Sequence, residues 1–264
     1  MANLGGDYEQ EAPPPRTPWP ANFPDVVTHT SLLLRDAHPQ YAAAKSADPN
    51  FANPEAALSL SQDLLSRDSV EQLRAINGGR EAVLLPVTAL ELTGLNAIPD
   101  AMAQTLAEML NWPVSLGDII QTNRVGHTRA RAFNRFVTPA AFGGRVLRGA
   151  QYVLVDDHVG MGGTLANLKG FLETNGGQVV GMTTLSESRD ARQIALRPDV
   201  RDMLREKHGE EFENLWQWQF GHGVDALTNV EAGILCREQS IETIRNRLAQ
   251  AVLEARERGL APRV

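Results

Sequence analysis

Residues 151–165 read QYVLVDDHVGMGGTL, and this stretch decides the fold. The apolar run at 152–155 is typical of a strand buried on both faces, and the glycine-rich turn at 160–163 opens a helix. Asp156 and Asp157 stand at the carboxyl end of the expected strand. Ligands of open α/β sheets bind outside the carboxyl ends of the strands. The stretch therefore predicts a parallel α/β sheet with a ligand at the end of this strand.

The residue types in this stretch suit a sugar phosphate. Glycines let the backbone approach an anion closely, and the free N–H groups at a helix start favour negative charge. Aspartates a few residues upstream can accept hydrogen bonds from sugar hydroxyls. The candidate site residues are the acidic pair Asp156 and Asp157 and the loop residues Gly160, Met161, Gly162, Gly163 and Thr164.

Other interpretations of the loop explain less of it. A P-loop needs a lysine immediately before the Ser or Thr, but Gly163 precedes Thr164. A dinucleotide-binding turn needs a third glycine where Leu165 stands, and it lacks the acidic pair. An ordinary strand-to-helix turn explains Thr164 as a capping residue. It does not explain two adjacent carboxylates followed so closely by three glycines.

On these residues the chain resembles the type I phosphoribosyltransferases (PRTases). Their signature is a short apolar strand, two acidic residues, four variable positions and Gly-Gly-Thr, and residues 153–164 match it without a gap. The resemblance implies a PRTase-type, Rossmann-like core that binds 5-phosphoribosyl-1-pyrophosphate (PRPP). It also implies that Asp156 and Asp157 hold the ribose hydroxyls and that the loop at 160–164 wraps the 5′-phosphate.

The resemblance further implies a pyrophosphate site made by two other segments. One is the loop at 87–98, which follows an early core strand. The other is the arginine-rich segment at 124–148, because arginine forks suit phosphate oxygens and a mobile basic loop precedes the signature strand in the family. An ordinary βα loop and a solvated hairpin remain open as alternatives. The candidate pyrophosphate-binding residues are Thr88, Thr93, Gly94, Arg124 and Arg129.

Magnesium is the cofactor that the resemblance implies, held by oxygens of substrate and water with Asp156 or Asp157 nearby. The six histidines show no zinc-binding spacing, and we expect His158 to serve packing or hydrogen bonding rather than catalysis. Family members that act on 6-oxopurines place an aspartate where Gly160 stands here. That difference argues against hypoxanthine and guanine as substrates.

The pattern along the chain predicts an α/β core between two helical attachments. Strands are expected at 82–87 and 179–185, on either side of the signature stretch, and alternation of strands with helices favours a parallel sheet. The expected regions are a proline-rich arm or tail at 1–25, a helical attachment at 26–78, the PRTase-like core at 79–196 and a mostly helical attachment, a candidate hood, at 197–264.

Local signals within the attachments predict individual elements. Asn53, followed by a proline, is expected to cap a helix, and Ser240 is expected to begin the last helix. Trp216, Trp218 and Phe220 alternate with glutamines. This period of two favours a strand or hairpin packed on the core over a platform for stacking a base.

Composition limits the class of protein. The chain has 264 residues and a net charge of −7, so we expect no general nucleic-acid-binding face. The single cysteine, Cys236, excludes an internal disulfide and fits a reducing cytosol. No apolar run approaches about 18 residues, and the first residues do not form a basic, apolar leader. We therefore expect a cytoplasmic protein with no membrane span and no signal peptide.

The activity that the resemblance implies is transfer of phosphoribosyl from PRPP to a nitrogenous acceptor, with release of pyrophosphate. Catalysis would depend on positioning and charge stabilisation rather than on a covalent intermediate. A non-catalytic regulator that binds PRPP or a nucleotide, and a sugar-phosphate or nucleotide hydrolase, remain open as alternatives. The apolar last helix and the arm suggest a homodimer.

Overall fold

The chain folds around a parallel sheet that carries helices, as the sequence predicts for the α/β class. The computed structural model describes residues 12–32, 34, 38–45, 53–91, 94–123, 125 and 132–263. Within these residues the strands are β1 (Val27–Thr28), β2 (Val83–Pro86), β3 (Leu90–Glu91), β4 (Gly94–Leu95), β5 (Ile119–Gln121), β6 (Phe142–Gly144), β7 (Gln151–Val159) and β8 (Gln178–Glu187). The helices are α1 (Tyr41–Ala44), α2 (Pro54–Leu64), α3 (Arg67–Ile76), α4 (Ile98–Leu110), α5 (Ala132–Val137), α6 (Gly163–Thr174), α7 (Pro198–Phe220), α8 (Asn229–Cys236) and α9 (Ile241–Glu257).

The sheet has the order β1-β8-β7-β2, and every pair in it is parallel. Strand β7 lies inside the sheet and its apolar run is fully buried, so the predicted two-sided strand is confirmed. The strand is longer than its apolar run. Asp156 still pairs with Thr184 of β8, so the acidic pair lies on the last part of the strand rather than in the following loop.

The amino-terminal helices cover the sheet with a tightly buried cluster. Helix α2 packs on α4, and Leu60, Leu73 and Met102 are completely buried between these helices and the sheet. The predicted cap is confirmed, because the side chain of Asn53 accepts a hydrogen bond from the backbone N–H of Ala56 at 3.0 Å.

The carboxy-terminal helices form a second cluster, and here one prediction is wrong. The aromatic run at 213–220 belongs to helix α7, not to a strand or hairpin. Trp216 and Phe220, four residues apart, share the buried face with ring centroids 4.2 Å apart, whereas Trp218 is 80% exposed. The alternation of aromatic and glutamine residues is too short to separate a period of 2 from one of 3.6, and the tertiary packing follows the helical period.

The proline-rich arm lies on the chain's own helix α6. Lys169, buried on that helix, donates hydrogen bonds to the Thr17 hydroxyl at 2.8 Å and to the Pro18 carbonyl at 3.1 Å. The indole N–H of Trp19 donates to the Leu227 carbonyl at 2.7 Å. The described part of the arm thus joins the core to the carboxy-terminal helices.

The apolar face of α9 is covered within the same chain. Ile244, Leu248 and Ala251 are buried in the carboxy-terminal cluster, against α5 and α7. The apolar character of the last helix is therefore explained without a second subunit, and the homodimer stays a prediction. None of the described helices combines the length and apolarity needed to cross a bilayer.

Candidate functional site

A cleft of about 330 Å³ opens at the carboxyl end of β7, where α6 begins. All seven residues predicted from the signature stretch line it. Three cationic side chains from distant parts of the chain join them. These are Arg16 of the arm, Lys45 beside α1 and Arg135 of α5. The cleft therefore places an acidic strand end, a glycine loop and basic groups around one space.

Asp157 is tied to the amino-terminal half of the chain. Its Oδ2 accepts hydrogen bonds from the Lys45 ammonium at 3.0 Å and from the Asn96 side-chain amide at 2.9 Å. Burial alone would raise the pKa of Asp157. The charge and hydrogen bond of Lys45, with the hydrogen bond of Asn96, outweigh burial and hold this pKa below its usual value. Asp157 is thus a fixed negative charge.

Asp156 has the opposite electrostatic character. Burial raises its pKa well above the usual value, and the neighbouring charge of Asp157 raises it further. One oxygen of Asp156 accepts the backbone N–H of Asp157 at 2.8 Å. The carboxyl of Asp156 therefore holds a proton more readily than that of Asp157. The pair offers one ionised carboxylate and one carboxyl whose protonation can change when a ligand binds.

The glycine loop presents backbone to the cleft. Gly162 has φ +78°, a left-handed conformation that favours glycine, and it precedes the first residue of α6. No side chain of the described residues caps the start of α6, so the first N–H groups of this helix are not satisfied by a capping group. Such groups bind anions.

Residues far from the signature in the sequence contact this loop and support it. The hydroxyl of Thr228 donates to the Met161 carbonyl at 2.5 Å. Glu231 lies so close that a Cβ on Gly163 would be 2.7 Å from its Oε1. Glu231 in turn pairs with Arg16 through two hydrogen bonds of 2.6 and 2.9 Å. The loop is therefore packed against a buried ion pair whose two residues also line the cleft.

The sequence reasoning missed the residues that support both ends of the cleft. Two signals for them were present. Arg16 is the sole charged residue of 12–24, and Thr228 with Glu231 has the spacing of a capping box, which the structure contains. Lys45 and Asn96 gave no local signal, because nothing near them in the sequence relates them to Asp157.

His158 is held by hydrogen bonds, as we expect from the sequence. Its Nδ1 lies 2.8 Å from the Ser186 hydroxyl and its Nε2 lies 3.0 Å from the Ser188 hydroxyl. Burial lowers the pKa of His158, although the charge of Asp157 partly opposes this. At Gly160 a Cβ would make an ordinary contact, 3.5 Å from the guanidinium of Arg135, which also lines the cleft.

The predicted pyrophosphate residues have mixed placements. The Thr88 hydroxyl donates to Asp100 at 2.9 Å and does not line the cleft, whereas its neighbours Val87 and Ala89 do. Gly94 lies in the short β3-β4 ribbon. These assignments remain predictions. Thr93, Arg124 and Arg129 lie outside the described residues.

The donor set around the acidic pair suits a metal only in part. No group of three or more His, Cys, Asp or Glu side chains within the described ranges is arranged to hold an ion. Asp156 and Asp157 offer carboxylate oxygens, the type of ligand that Mg²⁺ prefers, but one oxygen of Asp157 already binds Lys45. A magnesium ion here would need most of its ligands from substrate and water.

Two curated proteins are similar in sequence, and no family model matches the chain. Protein TraN of Escherichia coli is 39% identical over 240 residues, which cover 91% of this chain and 52% of TraN. An uncharacterised protein of Haemophilus influenzae is 36% identical over 164 residues, 62% of this chain and 35% of that protein. The chain thus spans about half the length of the first and about a third of the second.

Solved structures that resemble the chain include phosphoribosyltransferases. An adenine phosphoribosyltransferase superposes with a TM-score of 0.35 at 14% identity, covering 53% of this chain and 74% of that one. The adenine phosphoribosyltransferase of Leishmania donovani gives a TM-score of 0.31 at 20% identity, over 61% of this chain and 73% of that one. Both TM-scores lie below 0.5.

Proposed function

We propose that the cleft binds PRPP and that the protein transfers the phosphoribosyl group to a nitrogenous acceptor, with release of pyrophosphate. The observation that carries the proposal is the meeting of Asp156, Asp157 and the loop at 160–164 in one cleft at the end of a central parallel strand. The spacing of these residues also matches the PRTase signature. A lone helix start would bind any anion, whereas the adjacent acidic pair adds a partner for sugar hydroxyls.

Each end of the cleft has a task in this reaction. The N–H groups at the start of α6 bind the 5′-phosphate, and the acidic pair orients the ribose through its hydroxyls. The carbon–oxygen bond to pyrophosphate breaks as the carbon–nitrogen bond to the acceptor forms, and positive charge develops on the sugar. Lys45 and Arg135 lie where their charges can stabilise the leaving pyrophosphate. The acceptor nitrogen loses its proton to a base that we do not assign.

Magnesium belongs to the proposal as a cofactor, which Asp156 and oxygens of the substrate would hold. When bound, it would neutralise part of the pyrophosphate charge. We also propose a homodimer in the cytoplasm. Light scattering at micromolar concentration tests the dimer, and a monomeric mass would contradict it.

The test of function is calorimetric titration with PRPP and Mg²⁺. The wild type is compared with the double variant Asp156→Asn/Asp157→Asn. The matched control is Asp199→Asn/Asp202→Asn, which removes the same charge from two exposed carboxylates of α7. We expect micromolar binding by the wild type and the control, and loss of binding in the cleft variant. Absence of binding to the wild type would refute the proposal.

Pyrophosphate release then separates the possible activities. Release that requires a nitrogenous base, screened over purines and pyrimidines, identifies a transferase and its acceptor. Release without any acceptor indicates a hydrolase. Binding without release under all conditions indicates a regulator.

A further inference from the structure

The proline-rich arm places a charged residue beside the phosphate loop. Arg16 lines the cleft and reaches across α6, where its Nε donates to the Asn167 side chain at 2.6 Å. Its Nη2 lies 3.5 Å from the Gly163 carbonyl. Helix α6 carries Gly170 beneath the arm, and a Cβ there would stand 2.1 Å from the Pro15 carbonyl oxygen. The backbone of the arm therefore packs directly against the backbone of helix α6 at Gly170.

The partner of Arg16 is a carboxylate in an unusual position. Glu231 is 2% exposed, and its Oε1 lies within 2.7 Å of the place of a Cβ on Gly163. Glu231 also lines the cleft, and a buried negative charge beside a loop that is to bind an anion opposes that binding, because Coulomb interactions are strong over a few ångströms away from water. Arg16 occupies both oxygens of this carboxylate.

Glu231 also has a structural role at this position. Its Oε2 accepts the backbone N–H of Thr228 at 2.9 Å, and the Thr228 hydroxyl accepts the backbone N–H of Glu231 at 3.1 Å. This capping box begins α8 and also positions the Thr228 hydroxyl that donates to the Met161 carbonyl of the loop. The same residue thus fixes the loop and carries a charge that the loop's ligand would meet.

From this geometry we infer that Arg16 is a positioning residue of the phosphate-binding end, whose charge neutralises Glu231 so that the loop accepts a phosphate. The inference rests on the proposed function, and it gives the amino-terminal arm a role in that function. Arg16 acts through Glu231 and does not need to touch the substrate.

The test measures the affinity for ribose 5-phosphate and, separately, for inorganic pyrophosphate. We expect Arg16→Met to weaken ribose 5-phosphate binding by about tenfold or more, with little change for pyrophosphate. Adding Glu231→Gln to that variant should restore the affinity to within about threefold of the wild type, because the opposing charge is gone and an amide oxygen remains for the cap. Glu231→Gln alone should bind ribose 5-phosphate at least as tightly as the wild type. Arg16→Lys should retain most of the affinity.

The sign of the Glu231→Gln effect separates charge neutralisation from simple structural support. If Glu231→Gln weakened ribose 5-phosphate binding as much as Arg16→Met, or if the double variant were not rescued, the inference would be overturned while the proposed function stood. Absence of ribose 5-phosphate and PRPP binding by the wild type would overturn both. Circular dichroism confirms in each case that the variant is folded.

Discussion

The two ends of the cleft are built in opposite ways. At the acidic end, two side chains of β7 face the cleft; Lys45 and Asn96 from the amino-terminal half lower the pKa of Asp157, whereas burial and the charge of Asp157 raise the pKa of Asp156. At the proposed phosphate end, the backbone of the loop faces the cleft, and the ion pair of Arg16 and Glu231 packs beside it. The comparison teaches that a short motif supplies the contacting groups, whereas distant residues give them their charge and rigidity.

The largest expected effect is the loss of PRPP binding when either aspartate of the acidic pair is replaced. Asp156→Asn and Asp157→Asn should each weaken PRPP binding by about 100-fold, since each removes a carboxyl group that accepts a hydrogen bond from a ribose hydroxyl. Their effects on the free energy of unfolding at neutral pH should differ in sign. Asp156→Asn stabilises because it removes a buried carboxyl that Asp157 repels, whereas Asp157→Asn destabilises because it removes the ion pair with Lys45. Urea unfolding measures this difference, and shifts of the same sign would contradict the electrostatic contrast.

A second prediction tests the support behind the phosphate end. Gly170→Ala should lower the free energy of unfolding by about 2 kcal/mol and weaken ribose 5-phosphate binding, because a Cβ forces the arm away from α6. Gly233→Ala is the matched control, since it is also a helical glycine but its Cβ would meet nothing closer than 3.8 Å. This control should be neutral or stabilising by up to about 1 kcal/mol. If Gly170→Ala and Gly233→Ala changed the free energy of unfolding equally, the arm would not be packed tightly against α6.

A third prediction concerns the pH dependence of the acidic end. Lys45→Met should lower the free energy of unfolding by about 1–2 kcal/mol near neutral pH, because Asp157 loses its cation. The folded-state pKa of Asp157 lies below 3.8, so its stabilising contribution is present above that pH and is lost as pH falls through the folded value. The difference from the wild type should therefore shrink in acid. Lys207→Met, at an exposed lysine, should show no such pH window.

The smallest expected effect is that of removing the Thr164 hydroxyl from the loop. Thr164→Val should weaken ribose 5-phosphate binding by about tenfold, the value of one lost hydrogen bond to a charged group, and should leave pyrophosphate binding unchanged. Thr164→Ser keeps the hydroxyl and should bind normally. Competition titration with the two ligands measures both. Equal loss of both ligands in Thr164→Val would show that the two ends of the cleft are not separate subsites.

Sequence reasoning located the parts of the site that depend on local pattern. The strand β7, the start of α6 and the cap at Asn53 follow from apolar runs, glycines and capping preferences over a few residues. The helical state of Trp216 could not be obtained in this way, because packing against α5 decides it. The supports of the cleft were missed for a related reason. Lys45 is 112 residues from Asp157, a separation over which sequence pattern carries no information.

The contact between Arg16 and Glu231 also has a consequence for the order of assembly. The two residues are 215 positions apart, so their meeting closes a loop of most of the chain, and such long closures are entropically costly and slow. During synthesis the strand, the acidic pair and the glycines leave the ribosome well before residue 231. A nascent chain that ends before residue 231 contains the whole signature at 153–164 but lacks the ion pair of Arg16 with Glu231. In the proposed function, competence to bind phosphate would therefore be acquired late, when the finished carboxy-terminal helices meet the arm.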